Sequence, residues 1–371
     1  MLFYCGPVAA SWKLDRCRHA IERLSQSGLR WDVFSGEMIP LLRRAVGFDG
    51  WCAGLTDPAT GLPATAIAED SPVTGCQRRF WQLEYQAPDF SKEEGLVASD
   101  RPVAVLSDMT RGDLARSHRW DELLRPAGTA DELRAALTVG HMRWGSLTLY
   151  RAAPGRPFSA AEADLVDSLH APVSIAARGG WTAWPPAPAG SDECPATLIA
   201  TAEGTLIDAT PAAGSWVARL GGPHPESGHS LMYALAAWLT AGANRGQRPA
   251  RRSSASLLTR TTDGQWAELH AAPLTGTGRS GEHIAITVRP ALPARIRALL
   301  THAYALSGRE RQVAQLVLDG LQVPGIAAAL YISPHTVRDH LKAIFRKTRS
   351  HTRHELTARL SGYAAAGAEF L

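Results

Sequence analysis

The sequence has few cysteines and no long apolar run. Its 5 cysteines are scattered over 371 residues, and no two are spaced as Cys-x-x-Cys. This usage is typical of reduced thiols and argues against a disulfide framework or a zinc site. No run of about 18 apolar residues occurs, which excludes a conventional transmembrane helix. The amino-terminal residues lack the basic segment and apolar core of a secretion signal, so we expect a cytoplasmic protein without a membrane partner.

Motifs of several enzyme classes are also missing. No Walker lysine, nucleophile elbow or His-Glu-x-x-His helix appears. Gly276-Thr-Gly-Arg-Ser-Gly281 satisfies the pattern G-x-G-x-x-G. It precedes a predicted strand, however, whereas a phosphate loop has to open a helix, so we interpret it as a hairpin loop. His351 and His354 lack a third metal ligand nearby. We therefore predict a non-enzymatic protein with no cofactor and no metal.

Positive charge is concentrated at the carboxyl end of the chain. The whole sequence has 39 Lys and Arg against 35 Asp and Glu. Residues 300–371 contain nine basic and five acidic residues, which leaves 30 of each upstream and places the entire excess of +4 in this segment. Basic residues most often form a solvated helix face. A module that binds a polyanion within a neutral chain also produces this distribution.

Two helices separated by a short turn are predicted inside this segment. Ser333-Pro334 starts a helix, because the serine oxygen accepts an orphan amide hydrogen bond and proline suits the first helical position. An apolar stripe at three- and four-residue spacing follows, formed by Val337, Leu341, Ile344 and Phe345. Basic residues therefore face outward, as the major groove requires. Ile326–Leu330 is the preceding short helix, and Tyr331–Ser333 is the turn.

These residues resemble the LuxR-type (GerE-like) DNA-binding domain over about residues 301–365. The matching positions are Leu306, Ser307, Arg309, Glu310, Gly320, Ile326, Ala327, Ile332, Ser333, Thr336, Val337, His340, Leu341, Ile344 and Lys347. The family's side-chain cap before its second helix is missing, and Gln322-Val-Pro-Gly325 stands there. Arg349-Ser350 replaces the usual glycine or apolar turn and adds a positive charge.

The resemblance implies a recognition helix over 334–348 that enters the major groove of double-stranded DNA. It implies that Arg338, Asp339 and Lys342 face the bases. Further positions in the expected DNA-contact set are Ser333, His335, Thr336, Val337, His340, Arg346 and Lys347. Glu310 and Gly320 are expected to be structural, with Glu310 paired to a basic residue of the same domain.

The upstream residues predict two further domains, so that the fold class is multidomain α/β plus all-α. The predicted order of elements over 10–180 is a helix, strands, a long middle segment, further strands and a closing helix. This order resembles that of a GAF-like sensor. Arg79–Phe90 and Trp120–Pro126 are also similar to the sensory region of actinobacterial LuxR-type regulators. The helices are predicted over Trp12–Leu24, Trp31–Val46 and Ala160–Ala176, and the strands over Trp51–Leu55, Pro102–Leu106, Leu133–Val139 and Ser146–Tyr150.

A proline-rich linker is predicted over 181–193 and a PAS-like domain over 194–290. The PAS-like order is a hairpin with a Glu-Gly turn, then helices, then three strands. The hairpin is predicted over Thr197–Asp208, the helices over Pro211–Leu220 and Leu231–Ala241, and the strands over Ser256–Thr261, Gln265–Ala272 and His283–Val288. A connecting helix over 291–304 follows, with an apolar stripe of Leu292, Ile296, Leu299 and Leu300. The stripe predicts either that this helix couples the sensor to the DNA-binding domain, which we call the reader, or that it forms a dimer seam. The reader itself is expected over 305–365 as a four-helix unit.

Four tryptophans fall in or near the predicted sensor strands, where a cavity is expected. Trp51, Trp81, Trp120 and Trp144 predict an aromatic pocket for a small effector, although core packing is the commoner role of any one tryptophan. Arg79, Arg119 and Arg125 are candidates for an anionic ligand, with solvated surface as their default placement.

The sequence thus predicts a dimeric, DNA-binding transcriptional regulator with an unknown small-molecule effector and RNA polymerase as a further partner. One alternative is a σ-factor-like protein, which requires a basic, all-helical promoter-melting segment upstream. The other is an enzyme with an appended DNA-binding domain, which requires convergent acid and base residues before residue 290.

Overall fold

The first folded unit is a sheet with helices on both faces. The computed structural model describes residues 7–185, 187, 193–222, 227–241, 253–274 and 283–363. In chain order, the elements of this unit are α1 (Pro7–Ser25), α2 (Trp31–Val46), β1 (Gly50–Thr56), β2 (Pro63–Glu69), α3 (Gln77–Gln86), α4 (Glu93–Val97), β3 (Val103–Val105), α5 (Leu106–Met109), β4 (Thr129–Val139), β5 (Met142–Ala152), α6 (Ala160–Ser168) and α7 (His170–Gly180). A 3-10 turn, Leu114–Arg116, and a π-helix, Trp120–Leu124, lie between α5 and β4.

The five strands of this unit form an antiparallel sheet in the order β2-β1-β5-β4-β3. Side chains alternate across it, because successive residues of a strand point to opposite faces. Trp51, Ala53 and Leu55 face α1, α2 and α7 and belong to the main core. The opposite face, which carries Cys52 and Gly54, is turned toward α3.

The second unit repeats this strand order. Its elements are β6 (Ala196–Thr201), β7 (Leu206–Ala209), α8 (Ala213–Arg219), α9 (Ser227–Thr240), β8 (Ala255–Arg260), β9 (Trp266–Pro273) and β10 (His283–Pro290). The sheet order is β7-β6-β10-β9-β8, again antiparallel. One face packs on α8 and α9 through Leu198, Leu269 and Ile286. The Gly276–Gly281 loop lies outside the described residues.

A connecting helix and four further helices form the last described segment, residues 283–363, after β10. The connecting helix is α10 (Pro293–Ala303), and the others are α11 (Gly308–Leu318), α12 (Val323–Leu330), α13 (Pro334–Thr348) and α14 (Arg353–Ser361). Of the stripe on α10, Ile296, Leu299 and Leu300 are buried within this chain, and only Leu292 is exposed. Because these three side chains already pack intramolecularly, most of the stripe is not available as a dimer seam.

The sequence located most helices and strands but not all. The helix over Trp31–Val46 is confirmed and continues through Gly36 and Pro40. The closing helix is divided at Leu169 into α6 and α7. Strand β2 and helix α3 had no predicted counterpart. β2 is the edge strand, and its residues are mostly half-buried, so they give a weak alternation signal.

The start of the proline-rich segment is packed instead of extended. Trp181 is 1% exposed and stacks on Trp266 of β9, with ring centroids 6.0 Å apart. The Arg30 guanidinium lies over the Trp184 ring, with Arg30 Cζ 3.8 Å from the ring centroid. These aromatic contacts join the first unit to the second, so Trp181 and Trp184 are not part of a free spacer. None of the described helices is long and apolar enough to cross a membrane.

Candidate nucleic-acid interface and effector cavity

The recognition helix α13 begins where the sequence predicted. The Ser333 hydroxyl accepts a hydrogen bond from the Thr336 amide at 3.1 Å, and Pro334 occupies the first turn. Tyr331, in the turn before it, has a left-handed backbone and a side chain that is 95% exposed. The helix runs to Thr348, where Arg349 caps it in a left-handed conformation. Its bounds agree with the predicted 334–348 segment.

The outward face of α13 carries the residues expected to contact bases. Arg338, Asp339 and Lys342 are exposed, and so is Arg346 one turn later. Asp339 Oδ2 lies 3.1 Å from His335 Nδ1, and its Oδ1 lies 3.7 Å from Lys342 Nζ. Such exposed pairs are weak, so Lys342 can exchange Asp339 for a base edge or a phosphate at little cost. Ser333 is also exposed, whereas Thr336 and His340 are half-buried.

Val337 is wrongly included in the expected contact set. Its side chain is fully buried, with Leu341 and Ile344, in the seam between α13 and the rest of the domain. A side chain on this stripe cannot reach a base while the domain is folded. Its role is to fix which face of α13 is exposed.

Lys347 is used inside the domain. Its Nζ lies 2.6 Å from Glu310 Oε2 and donates to the Ala305 carbonyl at 3.0 Å. Glu310 closes a capping box with Ser307 at the start of α11. The predicted pairing of Glu310 with a basic residue of the same domain is confirmed. Burial has the largest influence on the pKa of Glu310 and raises it, but Lys347 and Ser307 together hold it below its usual value.

Other basic residues of the domain also bind backbone carbonyl groups. Arg309 donates to the Leu330 carbonyl at 2.7 Å, and Arg353 donates to the Leu321 carbonyl at 3.0 Å. These bonds neutralise the negative ends of α12 and of the turn after α11. The exposed cations are therefore gathered on α13.

Two backbone features match the sequence interpretation of the reader. Gly320 has a φ of 85°, a left-handed conformation that glycine adopts without a Cβ penalty, just after α11. Helix α12 begins with Pro324 in its first turn and without a side-chain cap from Gln322.

The Arg349 side chain packs toward the first unit, since a Cβ atom built on Gly28 would lie 3.0 Å from Arg349 Nη1.

A cavity of about 330 Å³ lies on the α3 face of the first sheet. We call it the sheet-face cavity. Its floor is formed by Cys52, Thr148 and Tyr150, and Arg134 and Glu93 supply charge. The second unit contributes to the wall through Ser230 and Leu231 of α9, among others. Trp81 Nε1 donates to Ser230 Oγ at 2.9 Å, which fastens the two units at this wall.

Of the four tryptophans expected at the pocket, only Trp81 lines this cavity. Trp51 points to the core face, where its Nε1 donates to Glu69 at 2.9 Å. Trp144 is buried in the same core, because it is the unpaired residue of a β-bulge between β4 and β5. Trp120 packs beside Leu106 and Leu124. Trp51, Trp120 and Trp144 thus lie outside the sheet-face cavity.

Buried ion pairs lie beneath the sheet-face cavity. Arg134 Nη1 lies 2.8 Å from Glu84, and Arg119 Nη2 lies 2.7 Å from Glu132. Burial is the largest influence on Glu84 and raises its pKa, but Arg134 and Arg119 lower it to about 2. Arg134 and Glu93 also line the cavity, so this network presents fixed polar groups to a bound molecule.

The arginines considered for an anionic ligand have other partners. Arg79 makes a two-pronged pair with Glu122 at 2.7 and 2.8 Å. Arg125 pairs with Asp121 at 2.7 Å and is exposed. Arg119 is 0% exposed, so its default placement on the surface is wrong.

His351 and His354 are exposed, and no group of three or more His, Cys, Asp or Glu in the described part of the chain could hold a metal ion.

Comparison with known proteins identifies the carboxyl-terminal helices. Residues 304–360 match the family described as "GerE: Bacterial regulatory proteins, luxR family". An HTH-type transcriptional regulator from the exeN 3′ region of Aeromonas salmonicida is 51% identical over 51 residues. That match covers 14% of this chain and 26% of the relative's length.

Solved structures share less with this chain. The VqsR LBD domain from Pseudomonas aeruginosa has a TM-score of 0.31 at 16% identity, covering 47% of this chain and 97% of that one. Escherichia coli SdiA has a TM-score of 0.30 at 10% identity, covering 95% and 96%. The family assignment of the carboxyl-terminal helices rests on the match of residues 304–360 together with the capped, basic recognition helix. Helices α11 to α14 of this chain are a helix-turn-helix domain of the luxR family of bacterial regulatory proteins.

Proposed function

We propose that this protein is a sequence-specific, DNA-binding transcriptional regulator. The observation that carries the proposal is the exposed face of α13, on which Arg338, Lys342 and Arg346 lie outside the domain core. An α-helix with a basic outer face fits the major groove, where arginine and lysine recognise guanine and asparagine or glutamine recognises adenine. The two sheets upstream differ from the all-helical segment that a σ-factor-like protein requires.

The regulator acts as a dimer on a near-palindromic site. Two recognition helices then enter successive major grooves about 10 base pairs apart. Selection of bound sequences from a random DNA pool with purified full-length protein tests this. Enrichment of a two-fold related motif with that spacing is the expected result, and recovery of unrelated sequences after repeated rounds would contradict it.

The first two units sense a small molecule, and we assign their GAF-like and PAS-like organisation to that role. The sheet-face cavity supports the assignment, since about 330 Å³ is enclosed by residues of both units. It falls at the lower end of ligand pockets, which span about 300–1,000 Å³. A molecule bound there contacts Tyr150 of the first unit and Leu231 of the second, and so changes how the units pack.

A thermal-shift screen with fractionated cell extract tests the sensing role. A fraction that raises Tm of the wild-type protein should fail to do so with Thr148→Phe, because the added ring fills the cavity floor. Ile207→Phe, on an exposed position of β7, is the matched control and should respond like wild type. Equal responses of Thr148→Phe and wild type would remove the cavity from the proposal.

A further inference from the structure

Arg260, at the end of β8, differs from every other buried arginine of the described chain. Four of these arginines pair with carboxylates, in the pairs Arg119–Glu132, Arg134–Glu84, Arg143–Glu93 and Arg151–Glu162. Arg260 is 6% exposed, yet no described carboxylate lies within ion-pair distance of it. Its Nη1 donates to the Gly264 carbonyl at 2.6 Å, and its Nε has no hydrogen-bond partner among the described groups. Burial lowers the pKa of this guanidinium to about 9.

The surroundings of Arg260 are aromatic. Its Cζ lies 3.9 Å from the ring centroid of Trp266 and 5.8 Å from that of Trp184. Ring faces stabilise a cation, but they supply no acceptor for its N–H groups. An uncompensated buried charge is costly, and an anionic partner removes that cost.

A second cavity, of about 200 Å³, opens beside Arg260. We call it the tryptophan cavity, since Trp31, Trp181 and Trp184 line it together with Arg260. Leu55 and Ile67 of the first sheet supply further apolar surface. It shares Leu55 and Thr65 with the sheet-face cavity, but it lies next to the start of α2 and the end of α7 instead of next to α3.

Three residues that line this cavity each carry a buried donor without a described acceptor. These donors are Arg260 Nε, Trp31 Nε1 and Trp181 Nε1, on side chains that are 6%, 3% and 1% exposed. Buried polar groups in folded proteins nearly always have a partner, so three unpaired donors at one cavity point to a missing acceptor. The cavity also contains Asp32, but its carboxylate is already paired with Arg30 at 2.6 and 3.1 Å.

We propose that the tryptophan cavity binds a small aromatic carboxylate whose anionic group pairs with Arg260. A carboxylate accepts several hydrogen bonds, and the guanidinium fork matches its geometry. The ring of the ligand packs against the tryptophans. A cavity of about 150 Å³ holds benzene, so about 200 Å³ has room for one substituted ring.

This site is additional to the proposed regulatory function and does not depend on DNA binding. It does border the reader, because Trp266, which stacks on Trp181, donates its Nε1 hydrogen to the Gly362 carbonyl at the end of α14. A ligand at Arg260 therefore acts on the ring that touches the DNA-binding domain.

Calorimetric titration of the full chain with benzoate, in the absence of DNA, tests the proposal. Benzoate should bind at least tenfold more tightly than neutral benzamide, since the carboxylate makes the charged contact. Acetate and inorganic phosphate should bind more weakly than benzoate, because they lack the ring. Equal affinity for benzoate and benzamide, or no binding of benzoate at about 10 mM, would overturn the proposal.

Variants locate the site. Arg260→Met keeps the length of the side chain and should lose at least tenfold in benzoate affinity without a fall in Tm, because it removes an unpaired buried charge. Arg289→Met, on the same sheet and paired with Glu268, is the matched control.

Trp31→Phe, which keeps a ring but loses the N–H donor, should weaken benzoate binding in a folded protein. Thr148→Phe, in the sheet-face cavity, should leave it unchanged. Benzoate binding by Arg260→Met and by Trp31→Phe at wild-type affinity would place the ligand elsewhere.

Discussion

The ammonium group of Lys347 lies 2.6 Å from the carboxylate of Glu310, which precedes it by 37 residues in the chain. Glu310 caps the start of α11, whereas Lys347 lies in the last turn of α13. The pair therefore fixes the recognition helix to the first helix of the domain. It also removes Lys347 from the set of cations that are free to meet phosphate.

Glu310→Gln should destabilise the DNA-binding domain near neutral pH by about 1.5–3 kcal/mol, the usual range for a hydrogen bond to a charged group. Because the folded pKa of Glu310 lies below its ordinary value of 4.5, the stabilisation is present above about pH 4.5 and is lost as the pH falls through the folded pKa. Thermal melts of wild type and variant should thus converge in acid. A difference that stays constant from pH 7 to pH 3 would contradict the ionic role.

Lys342→Ala should weaken binding to the selected DNA site by about tenfold or more and binding to random DNA much less, as expected of a base contact. Fluorescence anisotropy with both DNAs at one salt concentration measures this. Arg346→Ala, one turn further along the exposed face, provides the comparison for a backbone contact. Equal losses on both DNAs for Lys342→Ala would reduce Lys342 to a phosphate contact.

Val337→Asp should abolish folding of the DNA-binding domain, because it places a charge in a fully buried position. The adjacent Arg338→Asp is the matched control, since it adds the same residue on the exposed face. It should keep the cooperative melt while losing DNA affinity. Protection of α13 amides in hydrogen exchange distinguishes the two, and a cooperative melt of Val337→Asp with protected α13 amides would refute the orientation of the helix.

Trp266→Phe should loosen the contact between the second unit and the DNA-binding domain. The indole Nε1 donates to the Gly362 carbonyl at 3.1 Å, and the loss of one such bond costs about 0.5–1.5 kcal/mol. Faster hydrogen exchange in α14 is the expected signature. Trp216→Phe removes a similar 3.1 Å bond to the Cys194 carbonyl inside the second unit and should leave α14 unchanged. The same exchange rate in α14 for Trp266→Phe and wild type would show that this bond does not hold the domain.

Cys52 should resist alkylation in the folded protein. Burial raises the pKa of its thiol to about 12 from 9.0, which reduces the thiolate population about a thousandfold. Cys76 and Cys194 are exposed and should react first with iodoacetamide at pH 8. Peptide mass spectrometry measures the order of modification. Occupation of the sheet-face cavity should slow the alkylation of Cys52 further, and early labelling of Cys52 would show that the cavity opens to its floor in solution.

The helix-turn-helix was predictable because its signals are local. A capping serine, a proline in the first turn and an apolar stripe lie within 15 residues of one another in α13. Most strands of the two sheets were predictable for the same reason, since alternation and turn residues are also local. Strand β2 was not predicted, because its half-buried side chains do not alternate clearly between buried and exposed.

The cavities depended on information that is not local. Whether Trp51 or Cys52 faces a cavity depends on sheet register, and a single bulge turns Trp144 into the core. Local sequence does not reveal that Arg260 lacks a carboxylate while four other buried arginines have one, because the partners come from distant segments.

The sequence by itself determined the identity of the reading domain, the bounds of its recognition helix and the concentration of positive charge at the carboxyl end. Only the tertiary structure decided how that charge is used. Long-range packing directs Arg309, Lys347 and Arg353 to carbonyl and carboxylate groups within the domain, and leaves Arg338, Lys342 and Arg346 on the open face of α13. The reason is physical: a side chain's charge follows from its residue type, whereas its partner follows from which segments the fold brings within a few ångströms.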